Sequence, residues 1–163
     1  MMFKVGDVIT YSVHGLCKID DICEKTIADV TRTYYVMHPL GESNLTISSP
    51  VNNDKVVMLK ALDKKEALEI IQSFSKPGIP WIADVKQRAL KYNTIAKAGD
   101  RMDIAKTANT LMRKELEYKK DGKKLYEQER KLLITIQGIL FKELAITLNA
   151  SVEEIEKKIK RML

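Results

Sequence analysis

Two groups of residues in this sequence have side-chain types that could do chemistry. The first begins with Trp81, the only tryptophan. One and two helical turns later come three cations, Lys86, Arg88 and Lys91. An exposed aromatic ring beside cations suits nucleic acid, because the cations meet phosphates while the ring wedges at a base step. A single tryptophan in a small domain more often fills the core, so these residues alone leave both interpretations open.

The second group contains the residues able to bind a metal ion, which are Cys17, Cys23, His14 and His38. These four scattered ligands lack the paired spacing of a zinc site, and two cysteines cannot build a disulfide framework. The glycines form no phosphate-binding loop, and no nucleophile stands at a recognisable spacing from a base. The sequence therefore predicts neither an enzyme nor a cofactor, and it favours small buried thiols for both cysteines.

Charge is divided unevenly along the chain of 163 residues, whose formal net charge is +6. Residues 1–75 contain 8 lysines and arginines against 10 aspartates and glutamates, a net charge of −2. Residues 76–163 contain 20 against 12, a net charge of +8. The basic half favours a polyanionic partner, although solvated helix faces produce the same pattern. Because no run approaches about 18 apolar residues and no secretory signal is evident, we expect a cytoplasmic protein that does not enter a membrane.

The elements that must position these residues change in type near residue 60. Up to that point, turn residues separate five short runs that predict β-strands. The predicted strands are Val8–Tyr11, Leu16–Lys25, Arg32–His38, Leu45–Ser48 and Lys55–Lys60. Five such strands within about 60 residues predict a small, highly twisted, partly closed barrel of the SH3 or Tudor type.

From Asp63 onward the apolar spacing becomes helical. Two capping boxes, Asp63–Glu66 and Ser151–Glu154, predict helix starts. Between them three longer helices are predicted, at Trp81–Ile95, Met102–Lys119 and Tyr126–Leu148. Cations on the second of these are expected to stay solvated, namely Lys106, Arg113, Lys114, Lys119 and Lys120. The predicted fold is α+β, with a Tudor/SH3-like β-barrel over residues 1–62 and a compact, basic, all-helical domain over residues 63–163.

One ordered set of segments runs through most of the chain. It comprises FKVGDVITYSVHG, LTISSPVNN, Trp81 with its basic helix, Ala98-Gly99-Asp100 and Glu143-Leu144. In type and separation these segments resemble the CarD/CdnL family of bacterial transcription regulators. The resemblance implies a Tudor-like domain that binds the β subunit of RNA polymerase and a helical domain that contacts promoter DNA. It further implies stabilisation of the open promoter complex, with Trp81 inserted in the minor groove at the upstream edge of the bubble.

The resemblance also maps functional residues onto this chain. The polymerase contact maps to Leu45, Thr46, Ile47 and Ser48, with Lys25 as the charged partner. On the DNA side, the contacts are expected from Trp81, Lys86, Arg88 and Lys91. These contacts are expected to reach phosphates and the minor groove with little sequence specificity. The implied partners are RNA polymerase and promoter DNA, and we expect a monomer.

The chain departs from the family pattern at three places. Ile82-Ala83-Asp84 follows Trp81, where the family often has a pair of basic residues. Ser48 stands where a basic residue is common, and Tyr126 stands where a capping serine is usual.

Two rival functions are compatible with the residues alone. The basic half supports a DNA-binding or architectural protein that acts without polymerase. A protein-interaction module, with Trp81 in the core and the helices docked on an acidic partner, is the other. Measurements of binding to the β subunit and of salt-dependent DNA binding distinguish these two rivals from the polymerase-bound regulator.

Overall fold

A computed structural model describes residues 2–11, 14–53 and 58–163, with the backbone alone at residue 59. The chain divides into two compact units, residues 1–61 and residues 62–163. Strands build the first unit and helices build the second. The predicted α+β class, with strands before helices, is therefore confirmed.

The described residues of the first unit form an antiparallel sheet of five strands in the order β4-β3-β2-β1-β5. The strands are β1 (Val8–Tyr11), β2 (Gly15–Ile27), β3 (Val30–Pro39), β4 (Ile47–Pro50) and β5 (Met58–Lys60). A register shift between Ile19 and Asp21 places a bulge in β2, which bends this long strand. The core of the sheet unit consists of Phe3, Ile9, Tyr11, Cys17, Ile19, Tyr35 and Met37.

The fourth predicted strand is displaced in the structure. It begins at Ile47, so that Leu45 and Thr46 precede it, and Leu45 is exposed. Ser49 is the buried residue of β4, and it is 1% exposed. A buried serine gives no hydrophobic signal, and the alternation of apolar residues therefore pointed two residues too early. The first three residues of the fifth predicted strand, 55–57, lie outside the described residues.

Five helices form the second unit. They are α1 (Lys64–Ser73), α2 (Val85–Ala98), α3 (Arg101–Lys120), α4 (Glu127–Thr147) and α5 (Val152–Lys160). Helix α3 packs against α1, α2 and α4, and α5 packs against α4, so one apolar core joins all five. In the described ranges no single helix is long and apolar enough to cross a membrane. Helices α4 and α5 taken together meet that criterion by length and composition only, and their axes are bent by 107°.

Helix starts follow the capping residues. The Asp63 side chain accepts the Glu66 N–H at 2.8 Å, which confirms the first predicted capping box. Helix α2 starts at Val85 because the Asp84 side chain accepts the Gln87 N–H at 2.9 Å. The prediction of a helix from Trp81 is therefore wrong by four residues. Asp84, one of the departures from the family pattern, serves as this helix cap.

Candidate functional site

Trp81 lies in the segment between α1 and α2, and we call residues 76–83 the Trp81 loop. The ring is partly buried and packs against the helical core. Its centroid lies 6.3 Å from that of Tyr92 and 6.4 Å from that of Tyr118, both in edge-to-face contact. Trp81 is thus neither a buried core residue nor a free surface ring, since one part packs and another part reaches solvent.

Arg88 lies beneath this ring and is only 2% exposed. Its guanidinium carbon is 4.1 Å from the Trp81 ring centroid, a close cation–π contact. The Nε donates to Glu129 Oε1 at 2.5 Å, and Nη1 donates to the carbonyl of Ile82 at 2.7 Å. Glu129 is also buried, so the pair is removed from water. Arg88 was expected to meet DNA phosphates, and that expectation does not fit a guanidinium whose charge is buried against a carboxylate.

The Trp81 loop is held by side chains from two helices. The Thr110 hydroxyl donates to the carbonyl of Ile79 at 2.7 Å, and the Tyr92 hydroxyl donates to the carbonyl of Pro80 at 2.9 Å. Burial raises the pKa of the Tyr92 phenol, which keeps the donor protonated. With Arg88 on the Ile82 carbonyl, donors fix the backbone on both sides of Trp81. The backbone beside Trp81 is therefore held in place by side-chain hydrogen bonds.

Arg113 secures the start of the same loop. Its Nε donates to Asn109 Oδ1 at 2.6 Å, and its Nη2 donates to the carbonyl of Phe74 at 2.7 Å. Asn109 in turn donates to the carbonyl of Lys76 at 2.7 Å. The expectation that Arg113 stays solvated is therefore wrong, because its guanidinium caps the carbonyls that follow α1.

Gly78 is where the loop approaches α3 most closely. A Cβ at this position would lie 2.2 Å from the Lys106 carbonyl oxygen and 2.5 Å from the Thr110 hydroxyl oxygen. Gly78→Ala should therefore push the loop off α3 and lower the free energy of unfolding by about 1–3 kcal/mol, measured by chemical denaturation. Gly138→Ala, at an open helical position, is the matched control and should not destabilise the protein. Equal stability of the two variants would contradict the close approach at Gly78.

Cations around the ring differ in their exposure. Lys86 and Lys91 lie on the exposed part of α2. Lys114 of α3 places its Nζ 5.0 Å from the Trp81 ring centroid, and its side chain is 21% exposed. The sequence predicted Lys114 as one of the solvated residues of α3. Its contact with the Trp81 ring was missed because 33 residues separate the two and no local pattern joins them.

The residues predicted to contact polymerase lie at one edge of the sheet. Strand β4 is an edge strand and contains Ile47 and Ser48. The Lys25 Nζ donates to the Ser48 hydroxyl at 2.8 Å, so the structure brings these two predicted residues together. Arg32 of β3 lies directly opposite Lys25. Sequence reasoning missed Arg32, because its position beside Lys25 depends on the register of β2 and β3.

The candidate metal ligands are not gathered. No group of three or more histidine, cysteine, aspartate or glutamate side chains within the described ranges could hold a metal ion. Cys17 is buried as expected, and burial raises the pKa of its thiol to about 11, whereas Cys23 is only partly buried. His38 Nδ1 lies 2.7 Å from Asp20 Oδ2 in a hydrogen bond at the sheet surface.

The chain therefore combines a sheet unit that has β4 as an edge strand with a helical unit in which the backbone beside a partly exposed tryptophan is held by side-chain hydrogen bonds. The family model described as "CarD-like/TRCF RID domain" matches residues 3–61, and the model described as "CarD, C-terminal domain" matches residues 57–160. A Bacillus subtilis (strain 168) protein named "Putative transcription factor YdeB" is 29% identical over 161 residues, which are 95% of this chain and 98% of that protein. The chain therefore belongs to the CarD-like family of transcription regulators.

Membership confirms the family resemblance and the Tudor-like unit followed by helices. It also makes the protein a transcription regulator with an RNA polymerase-interaction domain. The roles of individual residues stay predictions, as do the DNA contacts.

Proposed function

We propose that the protein binds the β subunit of RNA polymerase through residues 1–61 and stabilises the open promoter complex through residues 62–163. Trp81 acts as a wedge in the DNA minor groove at the upstream edge of the bubble. The observation that supports this most directly is the Trp81 loop, whose ring is partly exposed while its backbone is fixed on both sides. A wedge must keep its position against base pairs that tend to close, and a preorganised loop avoids the entropic cost of ordering it.

The energies required are modest. Stabilising the melted state by about 1.4 kcal/mol shifts its population tenfold. Tethering to polymerase raises the local concentration of the helical unit at DNA to about millimolar. Weak, sequence-independent contacts from a basic surface are then sufficient. Such contacts do not require a helix that reads base edges.

The edge strand β4 offers a route to the polymerase contact. Val51 donates its N–H to the carbonyl of Thr33 at 3.0 Å, which sets the alternation of hydrogen bonds between β3 and β4. By that alternation, Ser48 directs its backbone N–H and carbonyl away from β3. A strand of the partner can pair there, with Lys25 and Arg32 close by to attract acidic groups.

Charge reversal at Lys25 tests this interface. Lys25→Glu should weaken binding of the full chain to a β-subunit fragment by about 1 kcal/mol, or about fivefold in Kd. Folding should not suffer, because a glutamate opposite Arg32 replaces a like-charge pair with an attractive one. Lys18→Glu, which makes the same change at an exposed position elsewhere on β2, is the control. Equal retention of both variants would place the interface elsewhere.

The half-life of polymerase–promoter complexes under competitor challenge tests the function itself. Wild-type protein should lengthen it, and Lys25→Glu should require a higher concentration for the same effect. An unchanged half-life with saturating wild type would overturn the proposal. A strongly sequence-selective footprint by the free protein would favour the polymerase-independent rival instead.

A further inference from the structure

Two cations of the described chain contact the Trp81 ring, and they differ in what else they can do. Arg88 is buried, and Glu129 neutralises its charge. Lys114 is partly accessible, with its Nζ 5.0 Å from the Trp81 centroid and 5.4 Å from the Tyr118 centroid. Lys114 is therefore the ring-contacting cation whose charge is available to a ligand in solvent.

We propose that Lys114 contacts a DNA phosphate beside the inserted Trp81. This rests on the proposed wedge function and assigns it a phosphate-binding residue on α3. The minor groove is about 6 Å wide, so a ring inserted there lies between two lines of phosphates. An ammonium 5.0 Å from the ring centroid is then placed at the groove wall, where phosphate oxygens lie, and not at the base edges.

The present partner of Lys114 does not prevent this exchange. Its Nζ lies 3.4 Å from Glu117 Oε2 in an i,i+3 pair, and the Glu117 side chain is 63% exposed. Such an exposed pair contributes little stability, so a phosphate can replace the carboxylate at small cost. The two aromatic rings hold the lysine side chain near Trp81 throughout, which reduces the entropy lost when it binds.

The proposal also accounts for a departure from the family pattern. No cation follows Trp81 directly, because Ile82 and Ala83 are uncharged and Asp84 caps α2. Lys114 supplies from α3 a positive charge next to the ring that the Trp81 loop does not supply itself.

The test compares three full-length variants by the half-life of the polymerase–promoter complex across a range of salt concentrations. Lys114→Met keeps the apolar stem and removes the charge, and Lys114→Arg restores the charge. Lys142→Met is the control and removes an exposed charge on α4. Lys142 lies 13 residues, or about 20 Å along the helix, from Glu129, which pairs with the Arg88 under the ring. This separation exceeds the Debye length of about 10 Å. Lys114→Met should shorten the half-life roughly three- to eightfold at 0.1 M salt and reduce the salt slope by about 0.9. Lys114→Arg should keep the wild-type slope, and Lys142→Met should leave half-life and slope unchanged.

Fluorescence of the single tryptophan distinguishes a phosphate contact from a purely structural role. Lys114→Met should leave the Trp81 emission maximum of the free protein unchanged. An unchanged salt slope would overturn the assignment of Lys114, whether or not the emission maximum shifts. The wedge function would still stand in that case if the wild-type protein stabilises the complex. Failure of the wild type to stabilise the complex at all would overturn both.

Discussion

Trp81→Ala should shorten the half-life of the open promoter complex by about 5- to 150-fold relative to the complex with wild-type protein. The factor corresponds to roughly 1–3 kcal/mol of lost contact between the ring and the bases. A wedge acts only where the duplex is melted, so the lost interaction belongs to the open complex alone. Binding to a β-subunit fragment should not change, because the mutation lies outside residues 1–61.

Stability must be measured on the same variant, because the Trp81 ring is partly buried against Tyr92 and Tyr118. We expect a smaller loss than the about 3–5 kcal/mol typical of a fully buried tryptophan. Ile159→Val, which trims a buried side chain of α5 at a typical cost of about 0.5–1.5 kcal/mol, is the control for lost stability alone. It should leave the half-life of the complex unchanged. A Trp81→Ala variant that keeps both its Tm and the wild-type half-life would remove the ring from the mechanism.

Local signals in the sequence were sufficient for the helix starts at Asp63 and Ser151. Each of these side chains accepts an N–H three residues later, and the residue types that do this stand close together in the sequence. The α+β class and the order of the units followed from the change in apolar spacing near residue 60. Strand β4 was misplaced because Ser49 fills its buried position.

Long-range pairing explains what sequence reasoning missed at the candidate site. Arg88 was predicted to contact DNA, since the residues around it on α2 do not show that Glu129, 41 positions later, lies beside it. Arg113 was predicted to be solvated for the same reason, because its partner, the carbonyl of Phe74, lies 39 positions earlier. A buried charge is compatible with the fold only if its partner is present, and a single sequence does not reveal such pairs.

Arg88→Met should lower the free energy of unfolding by about 3–5 kcal/mol, because it leaves the buried Glu129 carboxylate without its partner. This is a large part of a total stability of about 5–15 kcal/mol. Arg130→Met is the matched control, since Arg130 pairs with Glu127 on the same helix as Glu129 but at an exposed position. It should change stability little. Equal unfolding transitions for the two variants in denaturant would contradict the burial of the Arg88 pair.

A double variant separates the two roles of Arg88, stability and the orientation of Trp81. Replacing both Arg88 and Glu129 by Met removes the uncompensated charge and should recover much of the stability, since buried ion pairs are often exchanged for apolar groups at little cost. It does not restore the donor to the Ile82 carbonyl or the cation under the ring. The Trp81 ring should therefore become more accessible to a soluble quencher of its fluorescence. The half-life of the promoter complex should stay short although the protein is again stable. Recovery of the half-life together with stability would show that Arg88 supports the fold without positioning the wedge.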